Sequence, residues 1–498
     1  MGFYSNATGS PTGVLEAALL LCHGPALLLA SRLVLGPGPH EEPSAAVLEV
    51  LSVALPLVLL LTVASDVPVL AASLCALALF CCTLLYFAPR EQQESAERSQ
   101  GQTDELVKLF RGYNTLLVCL SVLAVDFAIF PRRFCKTELR GVSLMDLGTG
   151  TTVVASALSS HLARAEAASS SSSLSSSSSA PASAAQSSTR PRRGLGGGLH
   201  VLGLGLLRLV AVKVTGYREQ PTELGSHWNF FLTLFAVWLA GSAMAGAVRR
   251  LGWGSVLAVA AALAATFEGC LQQGPRLGQA ILHHPRPPLP LLLLHSSSSS
   301  LSSSLALARE LLHWAWWHNR EGIVSVWSHS LIFLLAAALS RACGLSGGDG
   351  DGSGGRRRVG QWSVFFRLAS AAASCLAVVA AARCWLPQLE PSRRQGNATY
   401  VLLVLGLAAT VVAALQLARI ASSFAAGRSC YSRSLLSHLA DRALPVFVLA
   451  NVLTGLCNLG FQAAGRETSN LMEMPALLLL LVYCAVLCTA ALTGPATK

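Results

Sequence analysis

The sequence predicts an all-α polytopic integral membrane protein, and two observations lead to this fold class. Hydrophobic residues occupy 53% of the 498 positions and charged residues only 12%, whereas soluble domains carry roughly 25% charged residues. A window of about 19 residues finds thirteen apolar stretches that are long enough, or nearly long enough, to cross a bilayer. This composition excludes an ordinary soluble domain, because too few water-compatible groups remain to cover a globular surface.

The predicted transmembrane helices follow one another through the whole chain, which we interpret as a single transmembrane domain over residues 1–498. They lie near 14–34, 46–64, 67–88, 113–131, 146–162, 200–216, 228–248, 253–270, 323–343, 362–386, 399–424, 443–463 and 474–493. Three stretches rich in serine, glycine or proline, near 165–198, 285–305 and 344–358, are predicted to be disordered insertions. Such low-complexity segments cannot bury enough apolar area to fold.

The distribution of basic residues predicts a lumenal N-terminus and a cytosolic C-terminus. With this orientation most arginine-rich loops face the cytosol, as the positive-inside rule requires. These loops contain Arg190, Arg249, Arg356 and Arg428. Two Asn-x-Thr sequons, at Asn6 and Asn397, then fall on the lumenal side and are predicted glycosylation sites. The basic cluster around Arg132 and Arg133 is lumenal and breaks the rule, which invites a functional explanation.

Neither the cysteines nor the net charge points to a metal or to nucleic acid. Most of the 14 cysteines lie inside apolar segments, and no Cys-x-x-Cys or Cys/His cluster has the spacing of metal ligands. The formal charge of +11 is spread over short loops instead of forming a basic stripe interleaved with aromatic residues. We therefore expect no metal, no cofactor and no nucleic-acid partner.

The first polar motif closes the fourth predicted span, at Asp126, Pro131 and Lys136. A carboxylate near the end of a span is expected to face a protein interior or a wet cavity, because full exposure to lipid is costly. Pro131 is predicted to end the helix and to let Lys136 fold back towards Asp126. Two interpretations stay open: a structural ion pair at the membrane interface, and a general base with a cation beside it.

The second motif places Asp146 at the start of the fifth predicted span, where an N-cap residue would lie. Helix capping explains an aspartate at this position at least as well as catalysis does. The third motif contains Lys213, His227 and Asn229, around the loop between the sixth and seventh spans. His227 has the chemistry of an acid, a base or a hydrogen-bond donor to a phosphate or acyl oxygen, and a structural role is about equally consistent.

The fourth motif, Asn319-Arg320-Glu321, stands at the predicted start of the ninth span. Asn319 is predicted to cap the helix, and Glu321 in the first turn complements the helix dipole. Under the predicted topology, motifs one to four all fall on the lumenal face. Independent structural features would scatter over both faces, so this convergence predicts a lumen-facing site.

A fifth polar set lies along the twelfth predicted span, at Asn451, Thr454 and Asn458. Their spacing of three and seven residues places them on one helix face. Hydrogen bonding between helices is the default explanation for such a face in a membrane protein.

Several of these runs resemble the glycosylphosphatidylinositol (GPI) inositol-acyltransferase family, which comprises the phosphatidylinositol-glycan class W proteins and their fungal counterparts. The similar blocks occur in family order at 125–138, 141–148, 225–231, 319–323 and 450–458. The resemblance implies a thirteen-span endoplasmic reticulum enzyme. It would transfer a fatty acyl group, usually palmitoyl, from acyl-CoA to the inositol ring of glucosaminyl-phosphatidylinositol.

The resemblance also implies roles for individual residues. Family members use a catalytic Asp and Lys ten residues apart, which correspond to Asp126 and Lys136. Substrate contacts are expected from the other polar motif residues, namely Arg132, Arg133, Asp146, Lys213, His227, Asn229, Asn319 and Arg320. Acyl-CoA enters as a co-substrate, no other cofactor is implied, and no obligate protein partner is evident.

The chain departs from the family pattern at a few positions. Gln220 and Leu224 stand where relatives usually carry His and Tyr, and Ser328-His329 replaces an expected Gly-Tyr pair. These differences concern substrate contacts and leave the reaction class unchanged. The alternatives are a secondary transporter, which should show a two-fold internal repeat, and another membrane lipid O-acyltransferase with a catalytic histidine within the membrane.

Overall fold

Every regular element in the described part of the chain is helical. The computed structural model describes residues 13–35, 47–87, 102–163, 196–216, 221–273, 277–288, 301–345, 360–426, 434–465 and 471–494. Its α-helices, in chain order, are α1 Val14–Leu35, α2 Leu55–Leu61, α3 Val67–Phe87, α4 Gln102–Ala124, α5 Leu144–Leu158, α6 Gly196–Thr215, α7 Pro221–Leu224, α8 Phe230–Gln273, α9 Leu277–His283, α10 Leu301–Cys343, α11 Gln361–Trp385, α12 Ala398–Ala426, α13 Leu435–Asp441, α14 Ala443–Ala463 and α15 Glu473–Thr493. This confirms the predicted all-α class.

The predicted spans correspond to helices throughout. Ten described helices are long and apolar enough to cross a bilayer, and Val47–Leu61 and Leu144–Leu158 are shorter apolar helices. The long helix α8 carries two predicted spans, and its backbone breaks between them at Gly252, whose φ is +79°. Glycine adopts this conformation without the steric penalty that a Cβ would bring, so the break lies where the sequence permits it.

Burial divides the bundle into a centre and a periphery. In the most apolar window of α12, 78% of the residues are buried, and in that of α4 72% are, whereas the value is 11% for α3 and for α6. α12 packs against α1 and α11, and α4 packs against α5, α13 and α14. α3 and α6 therefore lie at the periphery of the bundle with most of their apolar side chains unburied, while α4 and α12 form the core.

The end of α4 differs from the prediction. The helix begins eleven residues before the predicted start at 113 and ends at Ala124, not at 131. Its first turns are charged, and Glu105 pairs with Arg419 of α12 at 3.0 Å, so a search for apolar windows misses them. Asp126 consequently lies in the turn after the helix. Pro131 does not end α4; it precedes a 3-10 helix, Arg132–Phe134.

One further prediction of a helix start was wrong in a local detail. The N-cap of α5 is Ser143, and Asp146 is the N3 member of a capping box. Two helical segments of α10, Leu301–Cys343, meet at a kink at Asn319, whose φ of −123° and ψ of 15° are not helical, so a helical segment starts there as predicted. The apolar window began after Asn319, since the preceding turns are rich in Trp and His.

The predicted insertions lie largely outside the described residues. Parts of their edges are described. Residues 196–198 belong to α6, and 301–305 belong to α10. The segment 285–288 is described as well, with the Pro287 carbonyl 2.9 Å from His318 Nε2. The disorder of the insertions stays a prediction.

Candidate functional site

A cavity of about 590 Å³ opens between α4, α5, α6, α14 and the segment that joins α7 to α8. Most of its wall is apolar, contributed by Leu117, Val118, Val122, Val125, Leu144, Met145, Leu147, Leu204, Leu207, Phe230, Phe231, Phe447, Val448, Val452, Leu456 and Leu459. Its charged residues are Asp126, Lys136, Arg208 and Glu223. Few polar groups in a mainly apolar cavity are typical of a small-molecule or lipid site.

Asp126 is a buried carboxylate on this cavity, with 4% of its surface exposed. The turn that follows α4 positions it: its backbone N–H donates to the Leu123 carbonyl at 3.1 Å. Asn458 of α14 donates from Nδ2 to Asp126 Oδ2 at 2.8 Å. Burial raises the pKa of Asp126 to about 6, and the Asn458 hydrogen bond opposes that shift. A carboxylate with this pKa is ionised at neutral pH and still basic enough to take a proton.

The polar face predicted on the twelfth span to form hydrogen bonds between helices makes one such long-range bond, from Asn458 to Asp126 in the turn after α4. The same helix places Asn451 and Thr454 on the cavity wall. Asn451 donates from Nδ2 to the Phe447 carbonyl at 2.7 Å. One polar stripe of α14 therefore runs along an otherwise apolar cavity and ends at Asp126.

Lys136 does not contact Asp126 as predicted. Its Nζ donates to Glu223 Oε2 at 2.6 Å, and within the described ranges Asp126 has no ion-pair partner closer than 4.0 Å. Burial acts to raise the pKa of Glu223, but the Lys136 ammonium and the Arg393 guanidinium outweigh it and hold this pKa below its usual range. The cation that the sequence assigned to one carboxylate therefore belongs to another, 87 residues away.

The segment that carries Glu223 is fixed by close backbone contacts with α10. Gly225 has a φ of +119°, and a Cβ there would lie 2.8 Å from the Asn319 Cα. Asn319 Oδ1 accepts a hydrogen bond from the His227 backbone N–H at 2.9 Å. Only a glycine at 225 allows both the left-handed backbone and this approach. The third and fourth motifs thus meet, and together they hold Glu223 at the cavity.

Asp146 is buried behind the cavity and is held by five donor atoms. Its Oδ2 accepts from the backbone N–H and the hydroxyl of both Thr137 and Ser143, at 2.8–3.1 Å. Its Oδ1 accepts from Arg393 Nε at 2.8 Å. Asp146 is 1% exposed and is absent from the cavity wall. This arrangement ties Asp146 to Thr137, Ser143 and Arg393, and it holds the carboxylate in place.

Arg393 belongs to a buried polar loop, residues 392–397, that the sequence analysis did not select. Arg393 also donates from Nη1 to the Glu223 carbonyl at 2.8 Å. The neighbouring Arg394 pairs with Glu321 at 3.0 Å and donates to the Glu138 carbonyl at 2.6 Å. A signal was present, because adjacent arginines on the predicted lumenal side break the positive-inside rule just as Arg132-Arg133 does.

The basic pair Arg132-Arg133 stabilises the turn that carries Asp126. Arg132 donates to the carbonyls of Val125 and Phe127, at 3.1 and 2.8 Å. Arg133 pairs with Glu16 of α1 at 2.7 Å. Neither arginine lines the cavity, so the structure places both in supporting positions around the turn.

The remaining candidates occupy different places around the segment that leads into α8. Asn229 lies on the cavity wall, where its Oδ1 accepts from two backbone N–H groups at the start of α8 and its Nδ2 donates to the Gly205 carbonyl at 2.8 Å. The His227 ring lies beside that of Trp314, with ring centroids 5.3 Å apart and planes tilted by 48°. Burial lowers the pKa of His227, and nearby Lys213 acts in the same direction. Lys213 itself is exposed on α6.

Arg320 and the predicted sequons lie away from the cavity. Arg320 is 2% exposed and donates from Nε to the Ile281 carbonyl at 3.1 Å. Asn397 is 1% exposed, and its Nδ2, the atom that would carry a glycan, donates to the Glu390 carbonyl at 2.8 Å. The folded structure therefore counts against the predicted glycosylation at Asn397. Asn6 lies outside the described residues.

Comparison with known proteins places the chain among relatives of one family. A family model described as GWT1 matches residues 1–493. GPI-anchored wall transfer protein 1 of Candida albicans is 26% identical over 414 residues, which cover 78% of this chain and 75% of the relative. The protein of the same name from Eremothecium gossypii is 35% identical over 194 residues, 37% of each chain. An uncharacterized Arabidopsis thaliana protein is 40% identical over 131 residues, 26% of each.

Proposed function

Because this chain belongs to the GWT1 family, a family of GPI-anchor biosynthesis, we propose that it is a membrane acyltransferase of that pathway. Its substrates are an acyl-CoA and glucosaminyl-phosphatidylinositol, and the acyl group is transferred to the inositol ring. The chain is a multi-pass membrane protein, and the endoplasmic reticulum membrane is its proposed location. The family match removes support from the transporter and from the unrelated O-acyltransferases.

One observation carries the chemical part of the proposal: a buried, weakly solvated carboxylate, Asp126, faces a cavity whose wall is otherwise mainly apolar. A secondary inositol hydroxyl is a poor nucleophile until its proton is removed. Asp126 takes that proton as the hydroxyl oxygen attacks the thioester carbonyl. The C–S bond then breaks, an ester forms, and the departing CoA thiolate accepts a proton. The raised pKa suits Asp126 to this role.

The rest of the cavity matches the two substrates. A volume of about 590 Å³ lies in the range of sites that enclose a drug-sized apolar ligand, and the Leu, Val and Phe side chains suit an acyl chain. Lys136 and Arg208 supply positive charge on the wall. A fixed cation stabilises a developing oxyanion or a substrate phosphate, and does so more strongly where water is excluded.

The test is to express the chain in cells that lack inositol acylation and to analyse the accumulated glucosaminyl-phosphatidylinositol by mass spectrometry. The expected result is a new species heavier by one acyl group. Purified protein is expected to form the same product only when acyl-CoA is supplied. If the protein accumulates in the membrane and no acylated lipid appears in either assay, the proposed function is wrong.

A further inference from the structure

The ion pair between Lys136 and Glu223 raises a question that the proposed reaction leaves open. Both side chains line the cavity together with Asp126, yet Lys136 Nζ lies 2.6 Å from Glu223 Oε2. Two carboxylates therefore share one region with a single lysine, and the lysine is held by the one that has no assigned role.

Whether Lys136 pairs with Glu223 or with Asp126 affects how strongly Asp126 binds a proton. A cation in direct contact with a carboxylate favours its ionised form and makes it a weaker proton acceptor. Glu223 draws the Lys136 ammonium to itself, and its own negative charge raises the pKa of Asp126, while Asn458, Arg132 and Lys136 lower it. Removing Glu223 would release the cation and also remove a like charge, so both changes would weaken Asp126 as a base.

The backbone around Glu223 is built to hold this side chain in place. Arg393 donates to the Glu223 carbonyl at 2.8 Å and is itself paired with Asp146 at 2.8 Å. Three residues on, the Ser226 N–H donates to the His318 carbonyl at 2.9 Å. The charged groups that act on the Glu223 carboxylate come from three elements: Lys136, Arg393 and Arg208. Such support is typical of a residue whose position matters for the reaction.

We infer that Glu223 is a positioning residue, which holds the Lys136 ammonium on the cavity wall and away from Asp126. This role rests on the proposed acyl transfer and deepens it, because it adds a second carboxylate that acts through Lys136 and does not itself touch the reacting atoms. The third motif then has a function, because its contacts with α10 hold the Glu223 side chain in position.

The kinetic test compares the pH dependence of kcat/KM for the full-length wild type, Glu223→Gln, Glu223→Asp and the control Glu473→Gln, at matched amounts of folded protein. Glu473 is exposed at the start of α15, so its variant is expected to match the wild type. Glu223→Gln is expected to lose about tenfold or more in kcat. The acid limb of its kcat/KM profile should move to lower pH by about one unit, because the negative charge of Glu223 near Asp126 is removed. In Glu223→Asp, which keeps that charge, the acid limb should lie at the wild-type pH.

A second measurement needs no catalytic activity. Purified wild type and Glu223→Gln are treated with an amine-acetylating reagent, and modification of Lys136 is quantified by mass spectrometry relative to exposed Lys213. The reagent reacts with an accessible, unpaired amine, and in the wild type Lys136 Nζ is held 2.6 Å from Glu223 Oε2. Labelling of Lys136 is therefore expected to rise severalfold in Glu223→Gln, and Glu223→Asp, which keeps the carboxylate, should label like the wild type.

The two measurements separate the positioning role from the proposed function. If the wild type makes no acylated lipid, the proposed function fails, and the labelling ratio still decides whether Glu223 holds Lys136. An unchanged labelling ratio overturns the inference, and so does a lowered kcat with an unmoved acid limb, which would mean that Glu223 is merely structural. If Glu223→Gln does not fold, the labelling of Lys136 in the folded wild type is compared with that of exposed Lys213. Protection of Lys136 is expected from its contact with Glu223, and labelling as fast as that of Lys213 overturns the inference.

Discussion

Asp126 and Asp146 are two buried aspartates twenty residues apart, and the surroundings of their carboxylates differ in nearly every respect. Asp146 accepts from five donor atoms, including the Arg393 guanidinium at 2.8 Å. Asp126 accepts a hydrogen bond from Asn458 at 2.8 Å and faces the cavity. In the described part of the chain, Asp146 forms an ion pair with Arg393 at 2.8 Å, and Asp126 has no ion-pair partner within 4.0 Å.

The difference separates a structural carboxylate from one that is available for chemistry. A carboxylate that accepts from five donor atoms and is paired with a buried guanidinium is stabilised in its ionised form and is costly to disturb. A carboxylate that is buried with little compensation binds a proton more readily, as the raised pKa of Asp126 shows. Burial alone therefore does not identify the base. The number and charge of the donors do.

The largest expected effect is on catalysis in Asp126→Asn. General-base catalysis contributes about 10²–10⁴-fold, so acyl transfer by the purified variant is expected to fall by at least about 100-fold. Its melting temperature should not fall. Burial raises the pKa of Asp126 in the folded state, so any stability linked to its proton is present at low pH and is lost as pH rises through about 6. Asparagine removes that penalty at neutral pH. Activity above a tenth of wild type would contradict the general-base role.

The next effect is on stability in Asp146→Ala, which leaves the Arg393 guanidinium buried without its partner. Removing one member of a buried ion pair costs about 3–5 kcal/mol, so a marked drop in melting temperature of the detergent-solubilised protein is expected. In the double variant Asp146→Ala/Arg393→Met the unpaired charge is gone, and the loss should be smaller than the sum of the two single losses. A melting temperature like the wild type for Asp146→Ala would show that the two carboxylates do not differ as argued.

A smaller effect is expected in the pH profile of Asn458→Leu. In the wild type, kcat/KM should fall as pH drops through about 6, because protonated Asp126 cannot accept a proton. The Asn458 amide favours the ionised form, so its loss should move the acid limb to higher pH by about one unit. The control is Asn451→Leu on the same helix, whose amide bonds to the Phe447 carbonyl and whose acid limb should stay in place. If the acid limb lies at the same pH in Asn458→Leu and Asn451→Leu, it does not report the protonation of Asp126.

The smallest effect concerns glycosylation. Asn6→Gln leaves Asn397 as the remaining predicted sequon, and Asn397 is buried with its Nδ2 bonded to the Glu390 carbonyl. Endoglycosidase treatment of Asn6→Gln is therefore expected to leave its electrophoretic mobility unchanged. A mobility shift would show that the loop around Asn397 opens in the membrane. That result would also weaken the comparison, because the same loop carries Arg393.

The helices were predictable from the sequence because an apolar window is a local property. All thirteen predicted segments fall on helices, and the errors concern their ends: α4 ends at Ala124, and α10 already begins at Leu301, before the kink at Asn319. At such ends a charged or aromatic turn is stabilised by residues that are distant in sequence. The pair formed by Glu105 and Arg419, 314 residues apart, is one case.

Part of the candidate site was predictable as well. The sequence selected Asp126, Lys136 and Asn229, and all three line the cavity. It did not select Glu223, because a lone glutamate beside an apolar run resembles an ordinary loop charge, and it did not use the adjacent arginines Arg393-Arg394, although they break the positive-inside rule. The residues alone left structural and functional interpretations open for both Asp126 and Asp146, since the partners Asn458 and Arg393 lie 332 and 247 residues away.

The sequence by itself therefore determined the membrane class, the helical segments and the small set of polar residues from which a site could be made. Composition and spacing suffice for these, because lipid excludes unpaired polar groups and forces apolar segments into helices. The tertiary structure decided which charges meet. The partners Asp126 and Asn458 are 332 residues apart, Asp146 and Arg393 are 247 apart, and Lys136 and Glu223 are 87 apart. Electrostatic contact depends on distance in space, and only the packed bundle fixes that distance.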